Sequence, residues 1–251
     1  TKPLFMTIAV VNQKGGTGKT TSTINLGKSL EQKGKRVLLI DMDPQGSLGY
    51  SLGITDPKGT VSDLIYGEAS ISDVLMTKEG MDIIPSDISL ADLELSLVDA
   101  DNREYRLKYI LDELKGYDYI FIDCPPSLSL LTVNALTTSD YVLIPMLMEV
   151  LSLQGLDLIT STIEKIRGTL NANLSVLGIL PVMVDRRRKL STEIYEHIQE
   201  NYDFHMFESQ IRPNVRASEA PSFGQSVITY SPSSNSASDY IGLSDEFLKI
   251  V

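Results

Sequence analysis

The chain has 251 residues, 42% of them hydrophobic and 22% charged, with a formal net charge of −11. That is the composition of an ordinary globular protein, long enough for one α/β domain with a large core, and it argues against a generally cationic surface. The lone cysteine, Cys124, excludes an intrachain disulfide and suits a reducing cytosol. No apolar run approaches the roughly 20 residues a membrane span needs, and residues 1–5 are too short for a signal peptide.

In chain order, residues 7–11 read as a buried strand and Gln13-Lys14-Gly15-Gly16-Thr17-Gly18-Lys19-Thr20-Thr21 as a glycine-rich loop. A helix follows, with apolar residues at Ile24, Leu26 and Leu30. Residues 36–40 read as a second strand, running into Asp41-Met42-Asp43-Pro44-Gln45-Gly46. Residues 44–116 read as a mostly helical excursion with Gly and Pro breaks. Residues 119–122 are a further strand, ending on Asp123-Cys124-Pro125-Pro126, where Cys124 is a small buried residue. Residues 141–144 and 176–180 complete the apolar runs. Between these lies a helix with Leu153, Leu156, Ile159, Ile163, Ile166 and Leu170 on one face. Another follows Arg188, marked by Leu190, Ile194 and Ile198. The serine-rich residues 230–239 read as a surface loop before a short final helix.

None of the strand runs alternates cleanly, so both faces are expected to be covered, as in parallel strands between helices. The fold class that follows is α/β, a doubly wound, mostly parallel sheet, with the site at the strands' carboxyl ends. A single domain over residues 1–251 is expected.

Strand, glycine loop, helix is the context of a phosphate-binding loop. Glycines let successive N–H groups turn inward on phosphate oxygens, and the new helix adds its positive end. Lys19 would reach the β- and γ-phosphates, and the Thr20 hydroxyl would hold Mg²⁺. The strict G-x-x-x-x-G-K-[ST] pattern fails because position 13 is Gln. What matches is K-G-G-x-G-K-[ST], with an extra lysine, Lys14. Asp41, Asp43 and Asp123 stand at strand ends on the same sheet edge, placed to reach Mg²⁺ through water. A lone Asp after an apolar run reads as a turn residue; two such sites beside the loop favour the metal.

Together, residues 14–20, 41–46, 122–127 and Asn214-Val215-Arg216-Ala217-Ser218-Glu219-Ala220-Pro221-Ser222 resemble the ParA/Soj family, the deviant-Walker ATPases of bacterial chromosome and plasmid partition. The loop alone would indicate the broader group that includes MinD and the nitrogenase iron protein. The likeness covers nearly the whole chain and is to the short type, without an N-terminal DNA-reading domain. It implies ATP and Mg²⁺ as ligands and an ATP-sandwiched homodimer in which Lys14 reaches the partner's phosphates. It implies that Lys14, Gly15, Gly16, Thr17, Gly18, Lys19, Thr20 and Thr21 cradle the nucleotide, that Asp43 orients the attacking water, that Asp123 supports the metal and that Asp41 assists it. The adenine is expected near Pro213 and Asn214, with Met183 opposite. Where the family usually reads Ile-Pro-Arg-Asn, this chain reads Ile211-Arg212-Pro213-Asn214.

Arg186, Arg187, Arg188 and Lys189 form a basic run in an acidic chain. On its own it reads equally as a phosphate contact or as a solvated helix cap. The resemblance implies non-specific DNA binding through Arg187 and Arg216, with Arg186 and Arg188 beside them. It further implies a nucleoid-associated, cytoplasmic protein stimulated by a cognate partition or adaptor protein, with no membrane partner. The alternatives are a MinD-like membrane switch, which needs a basic amphipathic C-terminal helix that residues 245–251 do not supply, and a metabolic enzyme on the same fold. An iron protein would need several cluster cysteines. His197, expected on an exposed helix face, and His205, near a strand, lack a third ligand at zinc spacing.

Overall fold

The computed structural model describes residues 4–185, 187 and 189–251. A seven-stranded sheet runs through it in the order β3-β4-β2-β5-β1-β6-β7. The strands are β1 (Met6–Val10), β2 (Val37–Asp41), β3 (Met76–Lys78), β4 (Met81–Ile84), β5 (Tyr119–Asp123), β6 (Tyr141–Leu147) and β7 (Ser175–Val182). All neighbours are parallel except β3, which lies antiparallel on β4. The five central runs of the sequence are therefore strands within a few residues of their expected bounds. The main shift is at β6 and β7, each carried on past a proline, Pro145 and Pro181.

Helices cover both faces, and two apolar clusters fill the layers. One packs Leu38, Ile40, Ile120 and Ile122 under the helices Leu130–Thr138 and Val150–Thr169. The other packs Ile8, Val10, Leu39 and Phe121 under α1 (Lys19–Gln32) and the C-terminal helix Asn235–Ile250. Burial on both faces explains why the strands did not alternate.

Two expectations need correction. Residues 44–116 hold not only helices but the β3–β4 hairpin, whose turn places Glu79 at φ +51 and Gly80 at φ +80. Residues 230–239 are not a loop throughout, and the final helix is long. The helix Asn235–Ile250 starts within the serine run, capped by the Ser234 side chain, which accepts the Ala237 N–H. Ser236 and Ser244 are buried on its inner face, and Ser244 Oγ lies 2.6 Å from Ser29 Oγ on α1.

Charge is distributed unevenly over this frame. Residues 61–113, on the β3–β4 side, carry 13 acidic and four basic side chains, a net −9 against −11 for the whole chain.

Register sets up the site. Val10 pairs with Asp123, and Asp123 pairs with Asp41, so three strand ends lie level at the carboxyl edge. Beside β1 the topology reverses: chain from β1 crosses to β2 on one side, while β6 lies on the other. That is where such a sheet opens a crevice.

Candidate active site

The chain leaves β1 into residues 11–18. Asn12, 5% exposed, anchors the base of this loop. Its amide donates to the Pro145 carbonyl at 2.8 Å, and its Oδ1 accepts the Lys14 N–H at 3.0 Å. Gly16 and Gly18 stand at φ +72 and +71, where a side chain would be strained. The Thr17 hydroxyl and the Lys19 ammonium both donate to the Lys14 carbonyl, each at 3.2 Å. Lys19 is buried, which lowers its pKa against the opposing pull of Asp123. Gly15 is exposed, and Thr21 lies half-buried in the first turn of α1. No side chain caps α1, so its first N–H groups are left for another acceptor.

Thr20, at the start of α1, donates its hydroxyl to Asp123 Oδ2 at 2.6 Å. The other oxygen, Asp123 Oδ1, is buried with no hydrogen-bond partner among the described residues. Burial pushes the Asp123 carboxyl up to about 7; the Thr20 bond and Lys19 pull it down, and Asp43 raises it again. Asp41 is fully buried, which lifts its carboxyl well above the usual range, and Asp123 beside it adds to that. Both Asp41 oxygens are committed to backbone, accepting the N–H groups of Asp43 at 2.9 Å and Leu48 at 3.2 Å. Asp43 is half-buried and accepts the Gln45 N–H at 3.0 Å.

An uncapped helix start, a threonine hydroxyl and a buried, unpartnered carboxylate oxygen fit a hydrated magnesium ion beside phosphate. Among the described residues no group of three or more His, Cys, Asp or Glu side chains is arranged to hold a metal by itself. The donor set is complete only with phosphate oxygens and water.

Lys14 differs from Lys19. Its side chain is 43% exposed and points out of the loop, paired with Glu149 Oε2 at 3.0 Å. Glu149 immediately precedes the helix Val150–Thr169. Sequence reading missed Glu149, because the pair joins residues 135 positions apart.

The remaining expected residues reach the same edge on the β7 side. β7 ends at Val182, which is bridged to Ile211. Met183, 53% exposed at φ +52, therefore leaves the sheet beside the segment carrying Pro213 and Asn214. Asn214 caps the following short helix by accepting the Arg216 N–H at 2.8 Å. Arg212 is paired with Asp239, its Nη2 donating to Oδ1 at 2.7 Å. Arg187 is exposed and paired with Asp185 at 2.9 Å; Arg216 is exposed and paired with Glu219 at 2.8 Å. Arg186 and Arg188 lie outside the described residues.

A family model described as an AAA domain matches residues 5–176. The sporulation initiation inhibitor protein Soj of Bacillus subtilis is 44% identical over 95% of this chain and 96% of its own length. The chromosome partitioning protein ParA of Caulobacter vibrioides is 42% identical over 96% of this chain and 93% of its own. The chain belongs to the Soj/ParA family of partition ATPases. Among solved structures, the cobyrinic acid a,c-diamide synthase of Mycobacterium smegmatis with a bound ATP analog and magnesium superposes with a TM-score of 0.86. It is 34% identical and covers 98% of this chain and 95% of that one. The Soj/ParA membership fits a sheet whose crevice carries two loop lysines with different surroundings. It also accounts for the fold: a mostly parallel sheet flanked by helices, with the phosphate loop after β1. No helix among the described residues is long and apolar enough to cross a membrane.

Proposed function

We propose that this chain is a single-domain, Mg²⁺-dependent partition ATPase that works as an ATP-sandwiched homodimer on non-specific DNA. The observation that carries the reading is the division between the two loop lysines. Lys19 is folded into its own loop and serves the phosphates in cis. Lys14 stands outside, with a surface ion pair of the kind that is worth little and is readily exchanged. A facing copy's phosphates are the natural replacement for Glu149. Such a lysine supplied in trans stabilises the charge that develops on the transferred phosphoryl group and so couples hydrolysis to dimerisation.

The loop N–H groups of residues 15–21 bind phosphate, and Thr20 and Asp123 hold the magnesium ion. The metal, when bound, neutralises charge on the phosphate oxygens. Asp43 orients the attacking water. Asp41 is assigned to holding the loop of Asp43 rather than to the metal, since both of its oxygens are already bonded to backbone. Met183, Pro213 and Asn214 border the base. Arg187 and Arg216, together with Arg186 and Arg188, contact DNA phosphates. A cognate partition or adaptor protein stimulates turnover, and the protein works in the cytoplasm on the nucleoid.

The partition reading is preferred to a metabolic synthase on the same fold because the relatives named for partition are the more similar in sequence, at 44% and 42% against 34%. The test is Lys14→Ala. The variant should fold and bind nucleotide yet fail to hydrolyse ATP. Normal turnover in that variant would refute the trans-lysine mechanism.

A further inference from the structure

A carboxylate that aims a water molecule must itself be held still. The loop of Asp43 cannot do this from within. The Asp43 side chain accepts from Gln45, and its carbonyl accepts the Gly46 N–H at 3.0 Å. Both bonds are internal to residues 43–46. They shape the turn without tying it to the sheet.

Three contacts supply the tie. From β2, the buried Asp41 carboxylate grips the Asp43 and Leu48 N–H groups. From the segment after β4, the Ser86 hydroxyl donates to the Asp43 carbonyl across 43 residues of chain. Ser86 is 6% exposed, so water does not compete freely for that carbonyl. In the same place Gly46, at φ +66, runs so close that a Cβ on it would stand 2.9 Å from the Ser86 carbonyl oxygen. The Ser86 segment is fixed in turn: the Pro85 carbonyl accepts the Val61 N–H at 2.9 Å. β2 and β4 are sheet neighbours, so the turn is clamped between two adjacent strand ends.

We propose that Ser86 is a positioning residue for Asp43; position 46 is glycine both because its φ of +66 strains any side chain and because the Ser86 carbonyl leaves no room for a Cβ. The inference rests on the reading of Asp43 as the group that orients the attacking water. Ser86 acts through the Asp43 carbonyl and through the Asp41 carboxylate, to which its hydroxyl is also hydrogen-bonded, and among the described residues it makes no hydrogen bond to the phosphate loop or to Thr20. Its loss should therefore slow turnover and leave nucleotide affinity alone.

The experiment compares the parent with Ser86→Ala, Ser86→Thr, Gly46→Ala and Asp43→Asn. Single-turnover hydrolysis of radiolabelled ATP gives the rate, and titration with a fluorescent ATP analogue gives the affinity. Losing one buried hydrogen bond at this point should lower the rate of Ser86→Ala on the order of tenfold, with affinity within about twofold. Ser86→Thr, which keeps the hydroxyl, should recover most of the rate. Gly46→Ala should show the same split between rate and affinity as Ser86→Ala. A Ser86→Ala rate equal to the parent's, with Asp43→Asn inactive, overturns the role of Ser86. So does a loss of affinity as large as the loss of rate, which would mark a merely structural residue. An active Asp43→Asn overturns the reading of Asp43 beneath the proposal, and the two failures are told apart by that variant. If Ser86→Ala does not fold, Gly46→Ala decides by the same criteria.

Discussion

Asp123 is a site where binding and stability should pull in opposite directions. Its carboxyl is fully buried at the end of β5 and is pushed up to about 7, chiefly by desolvation. In the unfolded chain it returns to its ordinary value of 3.8. Between those values the folded protein holds a proton that the unfolded chain has released, so stability falls as pH rises through the window. Below it both states are protonated and the penalty vanishes; above it the full penalty remains. Each unit corresponds to about 1.4 kcal/mol, so between about pH 5 and about pH 8 this group should destabilise the metal-free protein on the order of 3 kcal/mol. Asp123→Asn keeps an acceptor for the Thr20 hydroxyl and removes the charge. The assay is urea denaturation of nucleotide- and metal-free protein, parent and variant, at both pH values. The parent should lose stability relative to the variant at the higher pH, while the variant binds Mg²⁺ and nucleotide more weakly. Parallel pH dependence of the two proteins would refute the account of Asp123 as an uncompensated buried carboxylate.

Three further outcomes are expected. Glu149→Gln frees Lys14 at little cost in stability, since the pair is half exposed; size-exclusion chromatography should show dimer at lower ATP concentration, and an unchanged profile would make the pair a bystander. Arg187→Glu with Arg216→Glu should abolish DNA binding in low-salt titration while leaving basal ATP hydrolysis intact, and the parent's binding should fade with salt at a slope of roughly −0.9 per phosphate contacted. Gly178→Ala places a Cβ 2.7 Å from the Phe207 ring and 2.8 Å from the His205 carbonyl; overpacking of this kind should destabilise by roughly 1–3 kcal/mol in denaturation, without altering nucleotide affinity.

Much of the site was legible because its signals are local. A glycine loop between a strand and a helix needs no distant partner to be read, and an aspartate closing an apolar run lands at a strand end by geometry alone. The β3–β4 hairpin was not legible. Its strands have three and four residues, and its turn asks Glu79 for a positive φ that the residue type does not advertise. With β4 unread, Ser86 could not be placed at a strand end beside Asp43. The serines of residues 231–238 were read for their turn preference, whereas Ser234 caps a helix and Ser236 is buried within its first turn. Lys14 with Glu149 and Arg212 with Asp239 join residues 135 and 27 positions apart. Nothing in the string announces such pairs.

The segregation of charge changes what a net −11 means. The acidic stretch lies on the β3–β4 side and packs as far as the helix after β5, while Arg187 emerges beside β7. Three strand spacings separate β5 from β7, roughly 14 Å, against a screening length of roughly 8 Å in physiological salt. Arg187 therefore does not feel most of the acid. Farther out, the same separation is a dipole. A polyanion meeting this molecule exerts a torque before it makes a contact, turning the β7 edge inward and the acidic side away. Orientation would thus be settled during approach, leaving the acidic face open to whatever else the bound protein must meet.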